Sequence, residues 1–407
     1  MMKRDISEVT YTEQLAPQSP ITPILPGVTV PLNHLPFILT TLFLSQLIHE
    51  LGHAIAGALY NIPILSSGAS LIICIPAAFV SYSTTALDTL RPPAKSRIIS
   101  AGPFHNLLFW CFCFLTSYIG SGLFWTFLGY KDISALGRLV LQVEDISPLA
   151  GHLTTGAIIT KLNDHSMASS SIDRDPWTSF LKSTKNDDIF LGWCIDSNAL
   201  DSSGKECCLP DESKKGTLSC FVANTVPTRV GCMDPIPILT STKTTDRCES
   251  GTDCRIGHVC VRPAETEELL RLTIKGNELE PDKVVLWSGP REEVWNEVTV
   301  GVWRPRLSFL PIRLPLWGSV FWEYLMMVNL SLFLFNLLPL GNLDGQHFLH
   351  SMMLSSNKDD VYNLDALERA ETPDESRWGM LEKVICRGTG VLVALDSVLT
   401  LLALIRI

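Results

Sequence analysis

Four long apolar runs, residues 34–62, 98–130, 316–340 and 384–405, stand out from a chain of otherwise ordinary polarity. Each reaches the roughly 20 residues that a helix needs to cross a hydrocarbon core, so each predicts a membrane-spanning helix. A fifth stretch, "ILSSGASLIICIPAAFVSY" at 64–82, is as apolar but is broken by Gly68 and Pro76. It predicts a re-entrant or hairpin element, which persists at membrane depth only against protein or a cavity. From 131 to 313 the pattern is that of a polar globular domain. The first 33 residues are polar and Pro-rich, with Lys3 and Arg4 but no short apolar core of a cleaved signal. The expected architecture is therefore a polytopic α-helical membrane protein with one inserted soluble domain.

Charge and cysteine then orient this arrangement. The 407 residues carry a net charge of −10, and no basic cluster points to a nucleic-acid partner. Of twelve cysteines, eight lie in the soluble block: Cys194, Cys207, Cys208, Cys220, Cys232, Cys248, Cys254 and Cys260. An even, dense set predicts a disulfide framework in an oxidising lumen. A structural zinc site is the rival, but the block contains no C-x-x-C pair. Connectivity stays open, except that the neighbours Cys207 and Cys208 are expected to have different partners. Cys74, Cys111, Cys113 and Cys386 sit in apolar runs and read as small hydrophobes. Arg91, Lys95 and Arg97, with no acid among them, mark a cytoplasmic loop. The soluble block is then lumenal, and the first span runs from lumen to cytosol.

That first span contains a polar anomaly, His49-Glu50-Leu51-Gly52-His53. If the helix enters the membrane near His34, His49 lies about 22 Å down at 1.5 Å per residue, in the cytosolic third of a core of about 30 Å. A carboxylate at that depth costs about 2.5 kcal/mol or more, which argues for a functional role over an accidental one. Two histidines four residues apart share one helix face and have the spacing of two ligands to a tetrahedral zinc. Glu50 is rotated off their line, in place to take a proton from a water beside the metal.

A catalytic zinc commonly has three protein ligands. "FNLLPLGNLDGQHFL" supplies the third candidate, Asp344, after a helix break at Pro339 and Gly341 and before Gly345. By parity this span also runs from lumen to cytosol, bringing Asp344 to the depth of His49. His347 and His350 rank below it because they follow the turn.

These residues carry a family resemblance. "HELGH", "AGPFHN" at 101–106 and "NLLPLGNLDG" at 336–345 resemble the three signatures of the site-2 protease family, intramembrane zinc metalloproteases that cut within a transmembrane segment. The similarity points to the eukaryotic branch that activates membrane-bound transcription factors such as sterol regulatory element-binding proteins. It implies His49, His53 and Asp344 as ligands of one Zn2+ per chain and Glu50 as catalytic base. Asn106 and Asn336 are implied as groups that orient a ligand or the substrate. "RLVLQVEDISPLAGHLTTGAIITKLNDHSM" resembles a PDZ-type core.

The implied organisation is a lumenal tail at 1–33, a first catalytic membrane part at 34–130 and a PDZ-like (α+β) lumenal domain at 131–190. A Cys-rich, disulfide-bonded lumenal insertion at 191–313 follows, then a second catalytic membrane part at 314–355. An acidic loop at 356–379 and a transmembrane helix within 380–407 complete the chain. The implied partners are the lipid bilayer and a membrane-anchored protein substrate first cut by a lumenal protease, in the endoplasmic reticulum or Golgi. The substrate helix must unwind to be cut, and the element at 64–82 is expected to offer it a strand edge.

Three departures qualify the resemblance. Gly341 stands where the family often has a second proline, and Gly156-Ala157 where Gly-Asp is usual, so capture of a peptide terminus is not expected. Eukaryotic members also carry membrane segments upstream of the zinc motif, which implies lineage loss or an N-terminally incomplete sequence. Two rival readings are a prenyl-protein-type membrane zinc peptidase and an inactive membrane scaffold. The first calls for a glutamate third ligand and no lumenal disulfides. The second, binding partners through the PDZ-like part, has no need of Glu50.

Overall fold

The computed structural model describes residues 24–361 and 375–405, apart from 25, 170–174, 184–190, 209–216, 224, 226–227, 242–245, 265, 277–280 and 342. Most of the expected polar tail at 1–33 and the centre of the expected acidic loop at 356–379 lie outside the described residues. The chain forms two compact units. One comprises the residues up to Ile119 together with those from Gly318 onward, and the other is Gly120–Trp317.

The first unit opens with helix α1, Leu35–Leu59. Pro36 sits in its first turn, where a missing N–H leaves no helical bond unmade. Strands β1, Ile64–Ile72, and β2, Ile75–Tyr82, follow as an antiparallel hairpin closed by Ile73 and Cys74. A short helix, α2 (Thr84–Asp88), leads to α3, Pro92–Phe127, which begins on two prolines. After the second unit the chain returns through α8, Leu314–Asn336, and α9, Asp344–Val361. It ends in α10, Glu375–Ile405, one continuous helix that contains the fourth apolar run.

Among the described residues, three helical segments are long and apolar enough to cross a membrane: Leu32–Leu59, Pro92–Tyr118 and Leu314–Asn336. Their outer faces remain apolar. Leu44, Leu47, Leu51 and Ile55 of α1 and Phe104, Leu108, Phe112 and Leu115 of α3 are all exposed. A surface of that size and character is compatible with hydrocarbon and not with water. Apolar contacts alone give little helix association in lipid, so polar ties take on weight. Asn329 Nδ2 of α8 donates to Ser45 Oγ of α1 at 2.8 Å and to the Leu325 carbonyl at 2.7 Å. Trp322 Nε1 donates to Ser117 Oγ of α3 at 2.7 Å.

The second unit is built on two larger sheets and one two-stranded pair. Its further strands are β3 (Tyr130–Asp132), β4 (Arg138–Val143), β5 (Ile158–Leu162), β6 (His165–Ser166), β7 (Gly192–Asp196), β8 (Ser219–Ala223), β9 (Arg229–Met233), β10 (Arg247–Cys248), β11 (His258–Pro263), β12 (Leu269–Ile274), β13 (Lys283–Ser288), β14 (Val298–Gly301) and β15 (Trp303–Pro305). Its short helices are α4 (Pro176–Leu181), α5 (Ser197–Ser202), α6 (Pro235–Leu239) and α7 (Arg291–Glu297). Three of these start at an aspartate whose carboxylate accepts a first-turn N–H: Asp175, Asp196 and Asp234.

One sheet runs β13-β12-β5-β4-β14, with β6 paired to β5, and the other runs β10-β7-β11-β8-β9. Trp177, Phe180 and Leu181 of α4 and Val294 of α7 cover the first sheet, packed on Val140, Ile159, Leu270 and Leu272. The second sheet encloses Trp193, Phe221, Val259 and Val261.

The expected insertion at 191–313 divides between the two sheets. Strands β12, β13 and β14 return to the first sheet, so the Cys-rich sheet occupies only Gly192–Pro263. Cysteine spacing marks where sulfur lies. Burial of Leu270 and Leu272 against the first core decides where the following strands pair. Four bridges join the eight cysteines of the block: Cys194–Cys254, Cys207–Cys232, Cys208–Cys220 and Cys248–Cys260. Cys207 and Cys208 have different partners.

Candidate metal centre

α1 presents His49 and His53 one turn apart, with their rings edge to face at a centroid distance of 4.8 Å. The two Nε2 atoms are 3.2 Å apart. Asp344 reaches both from the first residue of α9: its Oδ2 lies 2.9 Å from His49 Nε2 and 3.3 Å from His53 Nε2. The turn that delivers it follows from local sequence. α8 ends at Asn336, and Pro339 has no N–H with which to continue it. At Gly345 a Cβ would fall on the carbonyl groups of Leu337 and Leu338, so only glycine lets α9 begin that close to the preceding strand of chain.

The protons on the two rings follow from their other nitrogens. His53 Nδ1 is 2.9 Å from the Ile98 carbonyl of α3, which only accepts. Nδ1 therefore carries the proton and Nε2 keeps its lone pair. His49 Nδ1 lies 3.3 Å from the carboxamide of the fully buried Asn106. Asn106 Oδ1 as drawn has no partner. Oxygen and nitrogen of a carboxamide have the same shape, and exchanging them lets Oδ1 accept from His49 Nδ1–H. Both imidazoles then turn unprotonated nitrogens to Asp344 Oδ2, which is buried and accepts a hydrogen bond from neither.

Three lone-pair donors converge without a proton among them, an arrangement that repels itself unless a cation lies between. Ligands about 2.05 Å from a tetrahedral zinc stand about 3.3 Å from each other, and the separations here are 2.9–3.3 Å. Gly102 of α3 borders the hollow: a Cβ there would meet His53 Nε2 and come within 2.6 Å of His49 Nε2. The residues therefore fit a zinc ion, with second ring nitrogens anchored as is usual for metal-bound histidines. Glu50 stands beside them on α1, its Oε2 accepting from the Val80 N–H of β2 at 2.9 Å.

The other residues singled out in the sequence fall as follows. Asn106 meets His49. Asn336, half-buried at the end of α8, makes no hydrogen bond to the three donors. His350 Nδ1 pairs with Glu382 Oε2 at 3.0 Å, away from the trio. His105, in the same motif as Asn106, donates Nδ1–H to the Ala101 carbonyl at 2.7 Å and closes on Gly52.

Sequence reasoning passed over Gly102, Gln46 and Tyr82. Gln46 accepts from the Ala78 N–H at 3.0 Å, and the Tyr82 hydroxyl donates to the His53 carbonyl at 2.6 Å. A signal for Gln46 was present, since it lies four residues before Glu50 in a run with few other polar groups.

The sequence pattern of Peptidase family M50 matches residues 37–275 and 316–363, more than half of the chain and including all three donors. The chain belongs to Peptidase family M50. It is also 28% identical over 138 residues to a protein of Arabidopsis thaliana, a membrane-bound transcription factor site-2 protease homolog. That stretch is 34% of this chain and spans about a quarter (26%) of the Arabidopsis protein. Membership of M50 indicates a metalloprotease, and the long apolar helices of the first unit fit a membrane protein.

Proposed function

We propose that this M50 chain is an intramembrane zinc endopeptidase that cleaves a transmembrane helix of membrane-anchored proteins. The observation that carries this reading is the convergence of His49 Nε2, His53 Nε2 and Asp344 Oδ2 beside Glu50. These three would hold a zinc, which would supply Lewis-acid polarisation of the scissile carbonyl and of a nucleophilic water. Glu50 is the general base, placed to accept a proton at its carboxylate and to return it to the leaving amine. Asn106 and the Ile98 carbonyl hold the imidazoles in the tautomers that the chemistry needs. Asn336 is assigned to the substrate and not to the ligands.

A helical substrate hides its peptide bonds, so it must open before cleavage. The hairpin supports this step: β1 is exposed along its whole length, while the outward N–H groups of Ala78 and Val80 on β2 are already taken. An unwound segment adds to the β1 edge. The first sheet, covered by α4 and α7, is read as the PDZ-like lumenal part. The four disulfides support a lumenal, oxidising setting for the second unit, read here as the endoplasmic reticulum or Golgi. The name of the Arabidopsis relative suggests membrane-bound transcription factors as substrates; a prior cut by a lumenal protease belongs to the same reading.

The test is Glu50→Gln, assayed in liposomes against a single-pass membrane-helix substrate. Zinc content should stay at one per chain while cleavage falls by about 10²-fold or more. Equal cleavage by the two proteins would defeat the reading.

A further inference from the structure

The docking of β2 on α1 carries an inference about how Glu50 is held, and it rests on the protease reading above. Side chains of α1 at positions 46 and 50, and the backbone of α1 at 53, meet β2 at 78, 80 and 82. Ala78 N–H donates to Gln46 Oε1 at 3.0 Å, Val80 N–H to Glu50 Oε2 at 2.9 Å, and the Tyr82 hydroxyl to the His53 carbonyl at 2.6 Å. From 46 to 50 the helix advances about 6 Å and from 78 to 80 the strand advances about 6.8 Å, so these two rungs stay in step.

In this antiparallel pair Ile72 faces Ile75 across a two-residue turn, and Ala78 and Val80 are non-hydrogen-bonded positions. Their N–H groups point away from β1. A one-residue slip of β2 would turn these donors toward β1 and leave Glu50 facing no N–H group.

We infer that Gln46 is a positioning residue: its bond to Ala78 sets the register of β2 on α1, and that register gives Glu50 the Val80 N–H. Fixing Oε2 in this way locks the carboxylate rotamer and leaves Oε1 free of the strand. Glu50 is then held at one angle beside the donors instead of sampling several. Gln46 touches neither the three donors nor the reacting atoms and acts only through the strand.

The experiment uses the full chain in nanodiscs with wild type, Gln46→Leu, Gln46→Glu and Glu50→Gln. Leucine has a similar size and suits a membrane helix but accepts no hydrogen bond, whereas glutamate keeps an acceptor oxygen in either protonation state. Amide hydrogen exchange over 75–82 is read by mass spectrometry, with bound zinc and cleavage of a model membrane-helix peptide measured in parallel.

Gln46→Leu should speed exchange about 3- to 10-fold and lower kcat by a similar factor, with KM and zinc unchanged. Gln46→Glu should restore both within about twofold. Unchanged exchange or kcat in Gln46→Leu, loss of zinc in that variant, or no recovery in Gln46→Glu would each overturn the role. Cleavage by Glu50→Gln at the wild-type rate would overturn the protease reading instead. The exchange result requires no turnover and judges Gln46 separately.

Discussion

Gly102→Ala puts the metal hollow to its sharpest test, because it sets fold and metal against each other. The added methyl carbon would lie 2.6 Å from His49 Nε2, 2.7 Å from His49 Cε1, and nearer still to His53 Nε2. Non-bonded carbon and nitrogen settle at about 3.5 Å, so the overlap approaches 1 Å. The rings have little room to yield, since each second nitrogen is anchored, to Ile98 or to Asn106. Freeing either anchor costs about 1 kcal/mol. In the same position alanine is a better helix former than glycine by about 1 kcal/mol, which offsets part of an overpacking cost of about 1–3 kcal/mol.

Folding stability should therefore change by less than about 2 kcal/mol. Zinc binding should weaken by about 100-fold or more, beyond the 10–100-fold typical of losing an outer partner. The assay is zinc per chain by mass spectrometry after dialysis against buffered zinc, with circular dichroism and melting to certify the fold. Gly120→Ala is the control: no heavy atom lies within 4 Å of a Cβ there, and it should keep its zinc. Wild-type zinc affinity in Gly102→Ala would mean that the three donors do not converge against that glycine.

Asn106→Ala should weaken zinc 10–100-fold in a chelator competition, because His49 Nδ1 loses its partner, and an effect under twofold would detach Asn106 from the site. In the second unit, Asp164 pairs with Arg247 at 2.6 Å and stands 3.6 Å from Arg271, and both guanidinium groups lie over Trp193. Burial lowers the pKa of both arginines, that of Arg271 to about 10. Asp164→Ala leaves two largely buried cations unpaired and should cost about 3 kcal/mol, or about 6–12 °C in Tm for a unit of this size. An unchanged Tm would show the pair to be solvated.

Burial pushes the Asp175 carboxyl up, but the Thr178 amide and hydroxyl and the Arg138 guanidinium outweigh it and hold it below the ordinary carboxylate range. A carboxyl lowered on folding contributes stability above its unfolded pKa of about 3.9, lost as pH falls through the folded value. The fall in Tm below about pH 5 should be shallower in Asp175→Asn than in wild type, and parallel slopes would refute it.

Much of this protein was legible in local pattern. The i, i+4 pair His49 and His53 is read from a period of 3.6, and the lipid setting from run lengths, because both are properties of a helix taken alone. Gly68 and Pro76 marked the interrupted run that forms the β1–β2 hairpin for the same reason: backbone limits act within a few residues. The eight clustered cysteines announced disulfides by density. Their pairing did not follow, since four bridges among eight sulfurs depend on which strands of the second sheet lie side by side.

What only the tertiary structure decided involves distances between segments far apart in the chain. Asp344 is 295 positions from His49, yet its oxygen comes within 2.9 Å through a turn that Pro339 and Gly345 permit but do not aim. Gly102 is one of 26 glycines, and its need for a missing Cβ exists only once α3 is packed on α1. After the disulfide block, strands β12, β13 and β14 rejoin the first sheet, where Leu270 and Leu272 are buried in its core. Sequence determines the chemistry each residue can offer; packing determines which lone pairs meet, because convergence is a property of the whole chain's buried surface and not of any window along it.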